Sequence, residues 1–364
     1  MTTPDLLITG YDSIEFWVGN AKQAAHYYRT AFGFELVGYA GPETGSRDRA
    51  SYVLDQHDVR LVVSSGLASD HPISRHHARH GDGVRDVAFR VHDVAEVFEA
   101  AVARGVEALR EPEVLEDEQG KLTIATIAVY GDTVHSFVQR DAYGGVHRPG
   151  YEPVLDDPLA RSTGITTLDH VVCNVHVGEM ETWSRFYEQI LGFSQLRHFD
   201  DETISTDYTA LMSQVVWDGA GRIKLPINEP AAGSRRSQID EYLDAYGGPG
   251  VQHLALMTDD IVTTVRDLRS RGVAFLPVPA EYYREARARV GDLDESWEDL
   301  AELGVLVDRD EEGYLLQIFT EPVQDRPTVF YEIIQRHGAT GFGVGNFKAL
   351  FESIERAQAR RGNL

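Results

Sequence analysis

Two sequence patterns each occur twice in this chain, and this internal repetition constrains the fold more than any other feature. The segment DSIEFWVGNAKQAAHYYRTAFGFELV near the N-terminus recurs from residue 169 as DHVVCNVHVGEMETWSRFYEQILGFSQL. Gly33 in the first copy matches Gly192 in the second, 159 residues later. Each copy predicts a strand, an amphipathic helix ended by the glycine, and a further strand.

The second pattern is interleaved with the first. GDGVRDVAFRVHDVAEVFEAAVARGVEAL begins at Gly81 and returns at Gly248 as GPGVQHLALMTDDIVTTVRDLRSRGVAFL. Here Gly105 matches Gly272, 167 residues later, and each glycine again follows a helix. The chain is therefore predicted to use one unit of strand, helix and about three strands four times.

This repetition predicts an α+β fold of paired βαβββ modules in two domains. The N-terminal, non-catalytic domain is placed at residues 1–150, a linker rich in proline and charge at 151–163, and the catalytic domain at 164–364. A last helix, at about residues 345–360, carries Phe347, Leu350 and Phe351 on one face. We expect that apolar face to cover the open side of the second-domain sheet.

Charge and cysteine content narrow the class of protein. The net charge of −24 argues against nucleic acid or an anionic membrane as partners. Cys173 is the only cysteine, which excludes an intrachain disulfide and fits a reducing compartment. The N-terminal MTTPDLLITG lacks the basic start and apolar run of a signal peptide. We therefore predict a soluble, cytoplasmic protein.

Two histidines occupy matching positions in the repeat. His170 lies in the opening strand of the third unit and His253 in that of the fourth. The first half has Ser13 and Asp86 at the corresponding points. A single histidine in an apolar strand is usually a structural residue, but pseudo-symmetry brings matching positions together at a sheet centre.

Glu332 is the third candidate ligand. It alternates with Phe330 and Ile334 in the strand FYEII, on a face expected to be core. A carboxylate in such a place needs a cation or hydrogen-bond donors. An edge strand with Glu332 facing water is the alternative for this residue alone. Together with two imidazoles, however, a carboxylate completes the facial triad that holds non-haem Fe(II).

The segment HPISRHHARHGDG offers a rival metal site. His76 and His80 are separated by four residues and could share a helical face. No glutamate follows His76 as in H-E-x-x-H, and Arg75 and Arg79 would repel a cation. We therefore expect a solvated helix end without metal.

Neutral polar and aromatic residues surround the three candidate ligands in the sequence. The polar group is Ser213, Asn228, Gln238, Gln252 and Gln317, and the aromatic group is Phe319, Phe330, Phe347 and Phe351. Surface turns or core packing would account for any one of them. As a set, amides with an aromatic wall suit a flat, phenolic ligand better than a phosphate or sugar.

Several motifs resemble the 4-hydroxyphenylpyruvate dioxygenase family. They are LDHVVCNV, LMSQVV, PINEP, SQIDEYL, GVQHLAL, GYLLQIFT, DRPTVFYEIIQRHG and GFGVGNFKALFESIE. The similarity covers nearly the whole chain and is densest from His170 onward. It implies the glyoxalase or vicinal oxygen chelate fold, in which each domain is an open barrel-like sheet with outer helices.

The resemblance also implies a reaction and its residues. Fe(II) would be held by His170, His253 and Glu332. Ser213, Asn228, Gln238 and Gln317 would be catalytic residues, and Pro226, Gln252, Phe319, Phe330, Asn346, Phe347 and Phe351 would bind substrate. The enzyme would convert 4-hydroxyphenylpyruvate and O2 to homogentisate and CO2, with the substrate's own 2-oxo acid chelating the iron. A homo-oligomer, a role in tyrosine and phenylalanine catabolism, and a lid function for the last helix are also implied.

Two alternatives remain open at this point. 4-Hydroxymandelate synthase uses the same substrate and metal but hydroxylates the benzylic carbon. Pro226, Asn228 and the pair Asn346-Phe347 follow the dioxygenase pattern instead. Some proteins of the same superfold only bind small molecules without a metal, but such a binder would not need the two histidines and Glu332.

Overall fold

The computed structural model describes residues 8–199, 210–231 and 236–363. Residues 1–7, on which part of the signal-peptide prediction rests, lie outside these ranges. Within them, no helix is long and apolar enough to cross a membrane.

Two twisted sheets form the framework of the protein. The first contains β1 (Ile8–Trp17), β2 (Glu35–Ala40), β3 (Arg49–Gln56), β4 (Val59–Gly66), β5 (Gly83–Val91), β6 (Ala108–Asp117), β7 (Gly120–Ala128), β8 (Val134–Gln139) and β9 (Glu152–Pro153). The second contains β10 (Ile165–Asn174), β11 (Ser194–Phe199), β12 (Ala210–Trp217), β13 (Lys224–Ala231), β14 (Gly250–Thr258), β15 (Leu306–Arg309), β16 (Tyr314–Phe319) and β17 (Phe330–His337).

Helices pack on the outside of both sheets, and the last helix covers the open side of the second sheet. They are α1 (Ala21–Tyr27), α2 (Pro72–His80), α3 (Val94–Ala103), α4 (Met180–Leu191), α5 (Gln238–Tyr246), α6 (Ile261–Ser270), α7 (Ala280–Val290), α8 (Trp297–Leu303) and α9 (Val344–Arg361). A π-helical turn, Tyr28–Phe32, continues α1 to Gly33, where a positive φ of 79° ends it.

The strand order confirms the predicted fold class. The first sheet runs β6-β7-β8-β5-β1-β4-β3-β2-β9, and the second runs β15-β16-β17-β14-β10-β13-β12-β11. Apart from β9, the two orders are the same, and each half consists of two βαβββ units. The fourth unit differs by the insertion of α7 and α8 before its last three strands. The domain boundaries near residues 150 and 164 stay predictions.

The histidine-rich helix α2 is not the solvated helix end that the sequence suggested. His76 and His80 are only 7% and 1% exposed, so that prediction is wrong for both. The reason is that α5, from the other half of the chain, packs on α2. The His80 ring lies between Asp132 Oδ2 at 2.7 Å and the Tyr246 carbonyl oxygen at 2.6 Å.

The register of the central strands defines which residues of the two halves are equivalent. In the first sheet Ser13 stands opposite Ala88, and in the second His170 stands opposite Ala255. These pairs join equivalent strands, β1 with β5 and β10 with β14. Ser13 therefore occupies the place of His170, as the sequence repeat predicted.

Asp86 likewise occupies the place of His253. It stands opposite Glu15, whereas His253 stands opposite Val172. Asp86 is partly buried, and its carboxylate accepts hydrogen bonds from the Ser136 amide at 2.9 Å and the Ser136 hydroxyl at 2.5 Å. The first half thus keeps a polar centre at the position of the candidate ligands.

The Asp86 carboxyl should make stability depend on pH. Burial raises its pKa from 3.8 to about 7, although the hydrogen bonds from Ser136 oppose this. Between these two values the folded protein holds a proton that the unfolded chain has released. The free energy of unfolding therefore falls as pH rises through this window.

We expect Asp86→Asn to remove this pH dependence, because the amide cannot ionise. At pH 8 the variant should be more stable than the unmodified chain by about 1–4 kcal/mol, and near pH 5 the difference should be small. Urea unfolding at a series of pH values measures this. The exposed Asp141→Asn serves as the control. Equal stability of Asp86→Asn and the unmodified chain at every pH would contradict the prediction.

Candidate metal centre

Three neighbouring strands of the second sheet carry the three candidate ligands. His170 lies in β10, His253 in β14 and Glu332 in β17, and β14 is hydrogen-bonded to both of the others. Their exposed fractions are 2%, 8% and 1%. A parallel pairing sets Ala255 opposite Glu332, while the antiparallel pairing sets the same alanine opposite His170. The small residue between them leaves the side chains free to converge on the concave face.

The ligand atoms have the separations that a metal ion requires. Glu332 Oε2 lies 3.1 Å from His170 Nε2 and 3.4 Å from His253 Nε2. All three ligand atoms lie within 4.8 Å of one another. Two atoms bound at about 2.1 Å and at right angles are about 3.0 Å apart, so the set fits one metal ion. Two imidazoles and one carboxylate are the donor set of non-haem Fe(II) sites.

Hydrogen bonds at the far ring nitrogens orient both imidazoles. His170 Nδ1 lies 2.7 Å from Asp169 Oδ2, and His253 Nδ1 lies 2.9 Å from Gln252 Oε1. Because both oxygens can only accept, each Nδ1 carries a proton, and Nε2 is the nitrogen that faces Glu332. Nε2 donates to the carboxylate while it is protonated, and a metal ion would take the place of that proton. A ring that keeps only the Nδ1 proton is the tautomer that a metal ligand needs.

A cationic clamp holds Asp169 behind His170. Lys224 Nζ lies 2.9 Å from one carboxylate oxygen, and the Arg336 guanidinium bonds both oxygens at 2.9 and 2.8 Å. Burial opposes ionisation of Asp169, yet hydrogen bonds from His170 and Arg336 hold the pKa of this carboxyl well below its usual range. Asp169 therefore remains a hydrogen-bond acceptor for the imidazole.

Glu332 itself is ionised in spite of its burial. Burial would raise the pKa of its carboxyl, but the imidazoles of His170 and His253 lower it to about 2. The second carboxylate oxygen, Oε1, accepts a hydrogen bond of 2.8 Å from Gln317 Nε2. Only Oε2 is thus left facing the histidines.

A cavity opens from this centre towards α9. About 70 Å3 of it is open to the centre of a water-sized sphere. Its lining contains the three ligands and most of the residues singled out from the sequence, namely Ser213, Pro226, Asn228, Gln238, Gln252, Gln317, Phe319, Phe330, Phe347 and Phe351.

Aromatic rings form the wall closest to the ligands. Phe330 stacks on the His253 ring with centroids 4.8 Å apart, and Phe319 meets the same ring edge-on at 5.9 Å. Phe347 and Phe351 project from α9 with their rings nearly parallel, 6.4 Å apart. All four rings line the cavity.

Polar groups are placed on the β12–β13 side and at the start of α5. Ser213 and Asn228 stand opposite each other in these antiparallel strands. Gln238 begins α5, which Ser237 caps by accepting a hydrogen bond from the Asp240 amide at 3.1 Å. Asn346 lies behind Gln317 rather than at the cavity surface, since its side-chain amide donates to Gln317 Oε1 at 3.0 Å.

Several further residues line the cavity although they were not predicted as site residues. They are Val172, Leu211, Val215, Phe342 and Ile354, together with Leu350 of the expected apolar face of α9. The strand positions among them lie two residues from a predicted site residue, so strict alternation could have found them. Asp169 could not be found in this way, because the register of β10 against β14 shifts between Leu168 and His170.

Comparison with known proteins gives one consistent result. The model of the glyoxalase/bleomycin resistance protein/dioxygenase superfamily matches residues 10–125 and 167–318. A 4-hydroxyphenylpyruvate dioxygenase from Yarrowia lipolytica is 48% identical over 368 residues, covering 98% of this chain and 93% of that protein. One from Dictyostelium discoideum is also 48% identical, over 98% of this chain and 100% of that protein.

Solved structures agree in fold. A triple mutant of 4-hydroxymandelate synthase from Streptomyces coelicolor is 37% identical with a TM-score of 0.88, covering 97% of this chain and 99% of that one. A fusion of a xylose isomerase-like TIM barrel with 4-hydroxyphenylpyruvate dioxygenase is 22% identical with a TM-score of 0.76. This chain covers 54% of that fusion protein, and the likeness concerns the fold alone.

We expect Glu332→Gln to abolish metal binding and leave the fold intact. The amide removes the negative charge but can still accept the hydrogen bond from Gln317 and donate to an imidazole. Metal content per chain after dialysis should fall from about one to near zero, while the free energy of unfolding of the metal-free chain should change by less than about 2 kcal/mol.

The matched control is Glu229→Gln, a buried carboxylate of β13 that accepts a hydrogen bond from the Met180 amide at 2.9 Å. It should keep one metal ion per chain. Stoichiometric metal in Glu332→Gln would refute the assignment, and global unfolding of that variant would indicate a structural carboxylate instead.

Proposed function

This chain belongs to the 4-hydroxyphenylpyruvate dioxygenase family, and we propose that it converts 4-hydroxyphenylpyruvate and O2 to homogentisate and CO2 with Fe(II) held by His170, His253 and Glu332. The observation that carries this proposal is the convergence of two imidazoles and one carboxylate at the base of a cavity with an aromatic wall. The proposed reaction is that of the 4-hydroxyphenylpyruvate dioxygenases to which the chain is 48% identical.

When bound, Fe(II) supplies the activation of O2 and the attachment point for the substrate's 2-oxo acid group. The chain's own residues hold the substrate in position. The concave face beside His170 and His253 receives the carboxylate end, so the aromatic ring extends between Phe330 and the rings of α9. An apolar slot of this shape favours a flat ring and excludes water from it.

We assign the phenolic end of the substrate to the polar side of the cavity. Ser213, Asn228 and Gln238 lie there, on strands and a helix that a sheet ladder and a capping box keep in place. Neutral donors and acceptors suit a phenol, whose hydroxyl both donates and accepts. Holding the ring at both ends fixes which of its carbons faces the metal.

The helix α9 is proposed as the lid. Phe347 and Phe351 face the cavity, while the far end of the helix is held by a bidentate ion pair from Arg361 to Glu241 at 3.0 and 2.6 Å. This pair ties the lid to α5, the helix that begins with Gln238. Closing the cavity over the ring keeps water away from the reacting groups.

4-Hydroxymandelate synthase is the second candidate, because a structure of such an enzyme matches nearly the whole chain. Two features favour the dioxygenase. The dioxygenase relatives are more similar in sequence, and Pro226, Asn228 and Phe347 all line the cavity. A metal-free binding protein is disfavoured, since a buried pair of imidazoles around a carboxylate has no purpose in it. A homo-oligomer, a cytoplasmic location and a role in tyrosine and phenylalanine catabolism stay part of the proposal.

The product of the reaction tests this function directly. With Fe(II), O2 and 4-hydroxyphenylpyruvate, we expect homogentisate as the main aromatic product and one CO2 for each O2 consumed. Chromatography with both authentic acids as standards identifies the product. If 4-hydroxymandelate is the main product, the chain catalyses the synthase reaction instead. Unchanged substrate after incubation with the metal-loaded chain would favour a binding protein.

Replacing the ring of Phe347 should alter which carbon reacts. We expect Phe347→Ile to divert about a tenth or more of the product to 4-hydroxymandelate, because a displacement of about 1 Å changes a rate by roughly 100-fold. Phe347→Tyr keeps the ring and should keep homogentisate as the product. The product ratio is read from the same chromatogram, and homogentisate alone from Phe347→Ile would disprove this role of the ring.

A further inference from the structure

The two oxygens of Glu332 have different surroundings. Oε2 faces both histidines, at 3.1 Å from His170 Nε2 and 3.4 Å from His253 Nε2. Oε1 is turned away and accepts a hydrogen bond from Gln317 Nε2. A carboxylate held in this way offers one oxygen to a metal ion, and the other coordination positions remain for substrate and O2.

The amide of Gln317 does not stand alone. Its oxygen accepts a hydrogen bond of 3.0 Å from Asn346 Nδ2, and Asn346 Oδ1 accepts one of 2.5 Å from the Tyr282 hydroxyl. The hydroxyl in turn accepts a hydrogen bond of 2.7 Å from the Val307 amide. These groups are buried, so water does not compete for them. They form one relay from α7 and α9 to the carboxylate.

The direction of the relay is set at the carboxylate. Gln317 Nε2 faces two groups that can only accept, Glu332 Oε1 at 2.8 Å and the Phe342 carbonyl oxygen at 3.4 Å, so Gln317 Oε1 is turned towards Asn346. The Tyr282 hydroxyl has one proton and two acceptors in reach, Asn346 Oδ1 and the Val307 carbonyl at 2.8 Å. That carbonyl also accepts from Arg289 at 3.1 Å, whereas the Tyr282 hydroxyl is the only donor to Asn346 Oδ1 among the described residues.

We propose that Tyr282 is a positioning residue for the metal centre, which acts through Asn346 and Gln317 to keep Glu332 bound through one oxygen. The inference rests on the proposed metal site. Without the phenolic hydroxyl, Asn346 Oδ1 loses its donor, and Asn346 is no longer held against Gln317. Gln317 then holds Glu332 Oε1 less firmly, and the carboxylate can rotate away from the position that faces the two histidines.

The space around the relay is too small for it to adapt otherwise. Gly343 has a φ of +73°, and a Cβ atom there would lie 2.1 Å from Gln317 Oε1. It would also lie 3.2 Å from Asn346 Nδ2. The segment before α9 therefore passes directly over the hydrogen bond between the two amides, and the orientation of the amides is decided by hydrogen bonds rather than by free space.

Tyr282→Phe tests the proposal, and Tyr283→Phe is its matched control. Both substitutions remove one hydroxyl from neighbouring, packed tyrosines of α7, but the Tyr283 hydroxyl has no hydrogen-bond partner among the described residues. Titration of the metal-free chain with Co(II), followed by visible absorption, gives both affinity and coordination geometry. We expect binding about tenfold weaker in Tyr282→Phe, with an altered spectrum, and neither change in the control.

Kinetics separates positioning from a loss of packing. With saturating Fe(II), Tyr282→Phe should lower kcat and change KM for 4-hydroxyphenylpyruvate little, because the cavity wall is untouched. Asn346→Ala cuts the same relay one step closer to the metal. Adding Tyr282→Phe to it should weaken Co(II) binding no further, since residues that act in one network are not additive.

The outcomes are distinct. Unchanged Co(II) affinity and spectrum in Tyr282→Phe, or fully additive effects with Asn346→Ala, would overturn the relay. Absence of metal binding in the unmodified chain would instead overturn the proposed function itself. If Tyr282→Phe does not fold, the affinity and spectrum of Asn346→Ala decide, and a wild-type spectrum there also counts against the relay.

Discussion

The buried charge of Glu332 is the constraint on which the catalytic half depends. A carboxylate in the interior is tolerated only with cationic or hydrogen-bonding partners, and here two imidazoles and the amide of Gln317 supply them. The order of the strands makes this possible, since β10, β14 and β17 lie side by side and deliver one group each. Asp169 and Gln252 then fix the orientation of the imidazoles, so that Nε2 of each ring faces Glu332. The site is therefore preorganised to bind a cation.

The first half of the chain shows what the same framework does without metal ligands. Ser13 and Asp86 occupy the equivalent strand positions, and Glu15 adds a second carboxylate opposite Asp86. Two acids facing each other across a ladder repel unless one is protonated or a cation is near. Both conditions are met here. Burial raises the pKa of Asp86, which favours its protonated form, and the cationic Arg148 lies 3.8 Å from Glu15. The chain itself supplies the cation there, so this half can be stable without metal while the other half is built to bind it.

Features that follow from the internal repeat and from strand alternation were predicted from the sequence. Features that depend on packing between distant segments of the chain were missed. The two fixed separations of matching glycines led to the βαβββ units and to the equivalence of His170 with Ser13, which the strand register confirms. The burial of His76 was not predictable, because the helix that covers it comes from the other half of the chain. The clamp on Asp169 was missed for a related reason. Its arginine and lysine lie 167 and 55 residues away, and a bulge breaks the alternation that would have pointed to it.

The relay through Asn346 limits how the proposed lid can move. Asn346 lies in the first turn of α9 and is connected to the metal ligand through Gln317. At the other end, Arg361 and Asn363 bind the Glu241 carboxylate, and Gln358 donates a hydrogen bond of 3.4 Å to the Ser237 carbonyl oxygen. Displacing the whole helix would break the buried relay and leave amide groups unsatisfied, at a cost of about 1–3 kcal/mol for each group. Releasing the far end breaks the partly exposed ion pair, which is worth less, and the long hydrogen bond of Gln358. An opening that preserves the metal centre is therefore confined to the C-terminal turns of α9 and to the side chains of Phe347 and its neighbours. Access to the cavity and the geometry of Glu332 can thus be controlled by opposite ends of one helix.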